Sequence, residues 1–185
     1  DAKGKTVVVL VNDPGYHSQD PELFNGNSMT YYGRWTYKYE EAARQGAAAL
    51  LIVHETGAAG YPWEVIGGRG ARIGLTAENQ NLHRSEIEGW ITEQMATELM
   101  ASVGMDYESL KAEATQVGFK ARAIGDLKFS VTLNNGLENQ LSKNVVARIP
   151  GTTYPDEHVV HTAHWDHLGV RTAVDGDDIY NGASD

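Results

Sequence analysis

Two short apolar runs, residues 6–11 (Thr-Val-Val-Val-Leu-Val) and 48–53 (Ala-Ala-Leu-Leu-Ile-Val), constrain this chain more than any other feature. Each reads as a buried strand. The first is stopped by Asn12-Asp-Pro-Gly15, a strong turn signal, and positions 16–34, rich in Asn, Gly, Ser and aromatic residues, read as loop. A helix is expected from about 36 to 45, with Gly46 placed to end it. The pattern is a strand-helix-strand unit, so the fold class is α/β.

The rest of the chain is less uniform. Residues 54–84 carry Gly57, Gly60, Gly67, Gly68, Gly70 and Gly74, which discourage regular structure. Residues 87–91 suit another short strand, and a helix follows over 92–102, closed by Gly104, with Ala96, Leu99 and Met100 at helical spacing. A further helix is expected over 107–115. Residues 127–133 alternate Leu, Phe, Val and Leu against Lys, Ser and Thr, the pattern of a half-exposed strand. Asn134-Asn-Gly136 reads as a turn, and the polar stretch 137–143 is the best boundary. The chain therefore divides into a first domain, 1–136, and a second part, 137–185, which the apolar residues 145–149 begin. No internal repeat or low-complexity segment is visible.

Composition excludes several function classes. With 41% hydrophobic positions in 185 residues, the chain can bury a substantial core. Its balance of 15 Lys+Arg against 25 Asp+Glu argues against nucleic acid as a partner, because phosphate binding needs a cationic face. No run approaches the roughly 18 apolar residues needed to span a bilayer. The first residues, Asp1-Ala-Lys-Gly-Lys, carry no signal segment, and the absence of cysteine rules out a disulfide framework or a thiolate metal site.

The chemistry-bearing residues lie near the end. Val159, Val160 and Ala163 follow the turn-like Tyr154-Pro-Asp-Glu157 and read as a buried strand ending near 163, with His164 and Asp166 at its carboxyl end. Two residues apart in extended chain, an imidazole and a carboxylate project to one side. That pairing suits zinc, whose histidine ligands usually donate their second ring N–H to a carboxylate. Asp185, after a loop rich in Gly and Asp, offers a further carboxylate. The spacing alone is a weak signal, and a solvated turn after a strand is the commoner reading of a bare His-x-Asp. For His158, His161 and His167, which lack a partner at ligand spacing, the solvated reading is preferred.

Two other stretches invite a functional reading. Tyr31-Tyr-Gly-Arg-Trp-Thr-Tyr-Lys-Tyr39 packs five aromatic residues and two cations into nine positions, enough for a stacking platform for a peptide or sugar. Part of it is expected to face the core, and Tyr31 and Tyr32 are the better candidates for contact. Tyr61-Pro-Trp63 reads either as a lid over a neighbouring site or as a loop pinned by one buried Trp. Gly67-Gly-Arg-Gly70 lacks the strand-turn-helix context of a phosphate fingerprint.

Three motifs in order, Ser142-Lys-Asn-Val-Val-Ala-Arg-Ile-Pro-Gly151, His164-Trp-Asp166-His-Leu-Gly169 and Asn181-Gly-Ala-Ser-Asp185, resemble the start of the catalytic domain of the co-catalytic di-zinc aminopeptidase family. The resemblance implies that His164 binds zinc, that Asp166 orients it and takes part in catalysis, and that Asp185 bridges two zinc ions. It also implies hydrolysis of N-terminal residues of peptides through a metal-activated water. The family's Glu-Glu pair, which supplies the general base and a ligand, and its later Asp and His would fall beyond position 185. On this reading the chain alone is inactive and needs the remainder of the catalytic domain.

Lys3-Gly-Lys-Thr-Val-Val-Val-Leu-Val-Asn-Asp-Pro-Gly15, the stretch Tyr39-Glu-Glu-Ala-Ala-Arg-Gln-Gly-Ala-Ala-Ala-Leu-Leu-Ile-Val53 and the following His54-Glu55 resemble a protease-associated domain, a module inserted in many such enzymes. The implied architecture is a β-sandwich or open barrel with flanking helices over 1–136, followed by an N-terminal fragment of an α/β zinc-peptidase catalytic domain. The implied partner is a peptide or protein substrate, and the implied location is secreted or periplasmic. The competing expectations are a non-catalytic peptide-binding or gating module, and a carboxypeptidase or cyclase relative on the same scaffold.

Overall fold

The computed structural model describes residues 2–24, 26–67, 82–136, 138–139, 141–164, 170–174 and 176–179. They fall into two units, Asp1–Leu133 and Asn134–Asp185.

The first unit is built on a three-stranded parallel sheet of β1 (Thr6–Leu10), β2 (Ala49–His54) and β3 (Ile87–Thr92), in the order β1-β2-β3. Thr6 pairs with Ala49, and Ala49 with Ile87, so the three carboxyl ends emerge along one edge. Parallel neighbours need crossover connections, and helix α2 (Trp35–Arg44) lies in the first of them. Alternate residues along each strand enter different cores. Leu50 and Ile52 pack with Val11, Tyr39, Ala42 and Ala58, while Leu51 and Val53 pack with Ile91, Ala96, Met100 and Tyr107. One core therefore uses α2, and the other uses α5 (Glu93–Ala101) and α6 (Tyr107–Ala114). β2 is buried at every position, which is why its sequence is a continuous apolar run rather than an alternating one.

The helix ends have local causes. Gly46, at φ +73°, follows α2 in the left-handed region that favours glycine, and its N–H donates to the Ala43 carbonyl at 2.9 Å. Thr92 caps α5 by accepting the Met95 N–H at 3.1 Å, and Asp106 caps α6 by accepting the Ser109 N–H at 2.8 Å. The hydrogen bonds from the Ser109 hydroxyl and N–H hold the Asp106 carboxyl below its ordinary value.

Four expectations for this unit are corrected, the last of them the strand at 127–133. Asn12-Asp-Pro-Gly15 is not only a turn, because Pro14 opens a short helix, α1 (Pro14–Ser18), at the position where a missing N–H costs nothing. Residues 54–67 are not wholly irregular, since they carry α3 (Thr56–Ala59) and α4 (Glu64–Gly67). The described strands here form one open parallel sheet rather than a β-sandwich or barrel. Both faces are covered by helices, and no second sheet faces this one among the described residues.

Residues 127–133 form no strand, and Leu127, Phe129, Val131 and Leu133 are all exposed. Their alternation supplies an apolar face without a described strand to pair with. The strand expected to end near 163 in the second unit is likewise absent, since 159–163 is irregular and exposed, as is 145–149, and 134–136 forms no turn. The turn expected at 154–157 is present, with the Glu157 N–H donating to the Tyr154 carbonyl at 3.2 Å. The regular structure described in this unit is an antiparallel pair, β4 (Val170–Val174) and β5 (Asp177–Ile179).

Ile52 is completely buried and Val145 is 95% exposed, so truncating them separates the two units energetically. We expect Ile52→Ala to cost about 2–5 kcal/mol in urea unfolding, and Val145→Ala to stay within about 0.5 kcal/mol.

Candidate functional site

Of the three residues that the sequence nominates for metal chemistry, one lies among the described residues. His164 lies at the exposed end of the irregular segment after the 154–157 turn, and Asp166 and Asp185 fall outside the described residues. Among the described residues no three His, Asp or Glu side chains are arranged to hold a metal. The donor set, one imidazole and carboxylates, is nevertheless of the kind that zinc takes. His158 and His161 are exposed, in keeping with their solvated reading, and His167 lies outside the described residues.

The first unit does assemble a polar site, at the carboxyl edge of its parallel sheet, where chain ends and helix starts converge in open α/β folds. Glu55 follows β2 directly, and its side chain is only 10% exposed. One carboxylate oxygen, Oε1, accepts from the Lys111 ammonium at 2.8 Å. The same ammonium lies 3.0 Å from Glu108 and 3.5 Å from Glu93, and 5.1 Å from the centre of the Tyr107 ring. Burial alone would lower the Lys111 pKa, but the hydrogen bonds and charges of Glu55 and Glu108 outweigh it and hold the ammonium above its ordinary value. Burial likewise pushes the Tyr107 phenol far up, reinforced by the charges of Glu55, Glu93 and Glu108.

The other oxygen of Glu55, Oε2, is closed off from solvent and makes no hydrogen bond of ordinary geometry. His17 Nε2 stands 3.5 Å from it, and the same nitrogen faces the Val11 carbonyl at 3.4 Å. The Tyr107 hydroxyl, also buried in this cluster, makes no hydrogen bond of ordinary geometry but interacts with the Glu55 carboxylate, which adds to the rise of the phenol's pKa. Around these groups lies a cleft of about 670 Å³, lined also by Tyr16, Thr56 and Gln116. The sequence reading passed over this site. Its one signal is a charged residue, Glu55, placed immediately after a buried strand.

A second buried polar cluster supports the same edge. Asp13 is almost wholly buried and accepts the Thr30 N–H at 2.6 Å and its hydroxyl at 3.1 Å. Lys38 donates to the Asn12 carbonyl at 2.9 Å, and burial lowers its pKa. A Cβ on Gly33 would meet the Asp13 carboxylate at 2.8 Å, so this cluster closes only over a glycine.

The aromatic stretch divides as expected. Tyr39 is buried in the core, whereas Tyr31 and Tyr32 are more than half exposed and meet Tyr37 edge to face at 5.4 and 5.0 Å. Hydrogen bonding of the Tyr31 phenol to Glu40 raises its pKa. Tyr61-Pro-Trp63 is pinned rather than free. His54 hydrogen-bonds the Tyr61 carbonyl at 3.1 Å, and its ring lies 5.6 Å from that of Trp63. Gly68, Arg69 and Gly70 of the rejected phosphate motif lie outside the described residues.

Comparison with known proteins bears on the second unit. Residues 144–185 match the model of peptidase family M28. The stretch contains His164, Asp166 and Asp185, and the match supports a zinc-peptidase family and a metallopeptidase-like hydrolase function. M28 peptidases are generally metal-dependent. Searches of curated proteins and of solved structures return no match.

The Lys111 cluster generates a pH-dependent prediction. Removing the ammonium strands a buried carboxylate, so Lys111→Met should cost about 3 kcal/mol near neutrality. Because the folded-state Lys111 pKa is raised, its contribution is fully present below the ordinary lysine value of 10.5 and is lost as pH climbs past it toward the folded value. Urea unfolding of both proteins should give a constant gap from pH 6 to 9 that narrows above 10.5.

Proposed function

We propose that this chain is part of a zinc-dependent aminopeptidase that removes N-terminal residues from peptides, working outside the cytoplasm in a secreted or periplasmic setting. The observation that carries the reading is the M28 match over 144–185, a stretch that contains His164, Asp166 and Asp185. In this proposal residues 1–136 serve as a protease-associated module, and the general base and further ligands come from sequence outside this chain. The chain's own contribution is a donor set. His164 would offer an imidazole nitrogen to a metal ion, Asp166 would accept the other ring N–H and fix the tautomer, and Asp185 would supply a carboxylate that two ions could share. Zinc, when bound, supplies Lewis-acid polarisation of the scissile carbonyl and lowers the pKa of a water.

The test is hydrolysis of leucine and alanine anilides by the full protein beside this chain alone, with and without a chelator. The full protein should be active, lose activity to the chelator and regain it with zinc, while the chain alone stays silent. His164→Ala should abolish turnover, and Asp166→Asn should weaken metal affinity or activity by roughly 10–100-fold. A folded, zinc-loaded protein that ignores every free-amino-terminus peptide but cleaves at the carboxyl end, or cyclises, would move the assignment to those relatives. One that binds peptides without cleaving them would make it a binding module.

A further inference from the structure

We infer that Asn135 is a site of spontaneous covalent modification: in the folded chain its side-chain amide is displaced by the backbone nitrogen of Gly136, which leaves aspartate or isoaspartate beside the boundary of the two units. The inference uses no residue of the proposed metal chemistry and is independent of the metallopeptidase reading. The chain holds three Asn-Gly pairs, at 25–26, 135–136 and 181–182. Such pairs favour loss of the asparagine amide, because the next backbone nitrogen must reach the side-chain carbonyl carbon and glycine brings no Cβ to block the approach.

The reaction needs water and nothing else. The Gly136 nitrogen gives its proton to solvent base and bonds to Asn135 Cγ, the bond from Cγ to the amide nitrogen breaks, and ammonia leaves behind a cyclic imide. Water then opens the ring at either carbonyl. One opening gives aspartate, and the other gives isoaspartate, whose backbone runs through the side chain and is longer by one methylene. Either product adds a negative charge to a chain that already carries a net −10.

Ring closure needs a backbone free to rotate and a nitrogen that is not already hydrogen-bonded. Residues 134–136 are exposed and lie in no helix, strand or turn, and a Cβ on Gly136 would meet nothing within 4 Å. Neither the Asn135 amide nor the Gly136 N–H hydrogen-bonds to any described residue. Gly26 is the contrast. Its N–H donates to the Leu23 carbonyl at 3.0 Å, its φ is +59°, and a Cβ there would stand 3.3 Å from Pro21 Cα, so the nitrogen that would attack Asn25 is held. Gly182 lies outside the described residues. Asparagines without a following glycine are hindered in other ways. Asn134 precedes Asn135 and Asn144 precedes the β-branched Val145, while the buried Asn12 donates its amide to the Ala58 carbonyl at 2.8 Å.

The test is incubation of the folded chain in mildly alkaline heavy-oxygen water, then trypsin digestion and fragment mass analysis. Peptide 129–143, released between Lys128 and Lys143, should gain heavy oxygen at position 135 as a chromatographically resolved pair of aspartate and isoaspartate products. Conversion should be faster in alkaline than in acidic buffer. Asn25, in peptide 6–34, should lag roughly tenfold in the folded chain, a barrier difference of about 1.4 kcal/mol, and should catch up once guanidinium unfolds it. Gly136→Ala places its methyl group in open space and should slow conversion at 135 by a similar factor. The inference is overturned if position 135 stays unlabelled while the unfolded chain converts, or if Asn134 or Asn139 converts ahead of it. Equal rates at Asn25 and Asn135 in the folded chain, or indifference to Gly136→Ala, would overturn it as well.

Discussion

Burial of β2 from both sides is the constraint on which the first unit depends. Ala49 to His54 lie in the middle of the sheet, and successive side chains leave in opposite directions into two separate cores. Neither core closes without the other, because a strand exposed on one face would show water a row of Leu, Ile or Val. Fully burying such a side chain is worth roughly 1.5–3 kcal/mol, so the central strand alone accounts for several such contributions against the entropy of ordering it. The parallel arrangement follows from the same fact. Helical connections are what cover both faces, and they return the chain to the same end of the sheet each time.

That return sets where chemistry is possible. Val11 to Asp13, Glu55 and Thr92 all leave the sheet at one edge, each at or just before the start of a helix. Polar side chains there are half enclosed by the two cores and need partners, and the partners come from far along the chain. Lys111 reaches Glu55 across 56 positions, and Thr30 reaches Asp13 across 17. The edge is thereby a set of buried charges and polar groups that satisfy one another, down to the interaction of the Tyr107 phenol with the Glu55 carboxylate.

Legibility from sequence tracks the range of the forces involved. The strands at 6–10, 49–54 and 87–92 and the helices α2, α5 and α6 are readable within a residue or two, because burial on two faces and helical periodicity leave local signatures. α1 escaped because Asn-Asp-Pro-Gly carries a turn signal as strong as Pro14's fitness for a first helical turn. The strand expected at 127–133 failed for another reason: alternation specifies which face is apolar, but a strand also needs a neighbour to take its N–H and C=O groups. The Glu55 and Lys111 pairing was illegible, since nothing local to either residue announces the other. The metal residues were nominated through motif order alone, and of the three only His164 lies among the described residues.

The same physics governs the second unit. Val145, Val146, Ile149, Val159 and Val160 are each at least three-quarters exposed, an unusual state for β-branched residues in two short runs. Enclosing five such side chains would release on the order of 10 kcal/mol. Ordering the two runs costs about 1–2 kcal/mol per residue, so the balance is near zero until a pairing strand also takes up the backbone groups. His164 follows the second of these runs directly, and a metal ligand is only as well placed as the element that carries it. Under the metallopeptidase reading proposed above, pairing of residues 159–163 and preorganisation of the His164 imidazole would be one event, so metal affinity at this position would rise and fall with whatever strand pairs with that run.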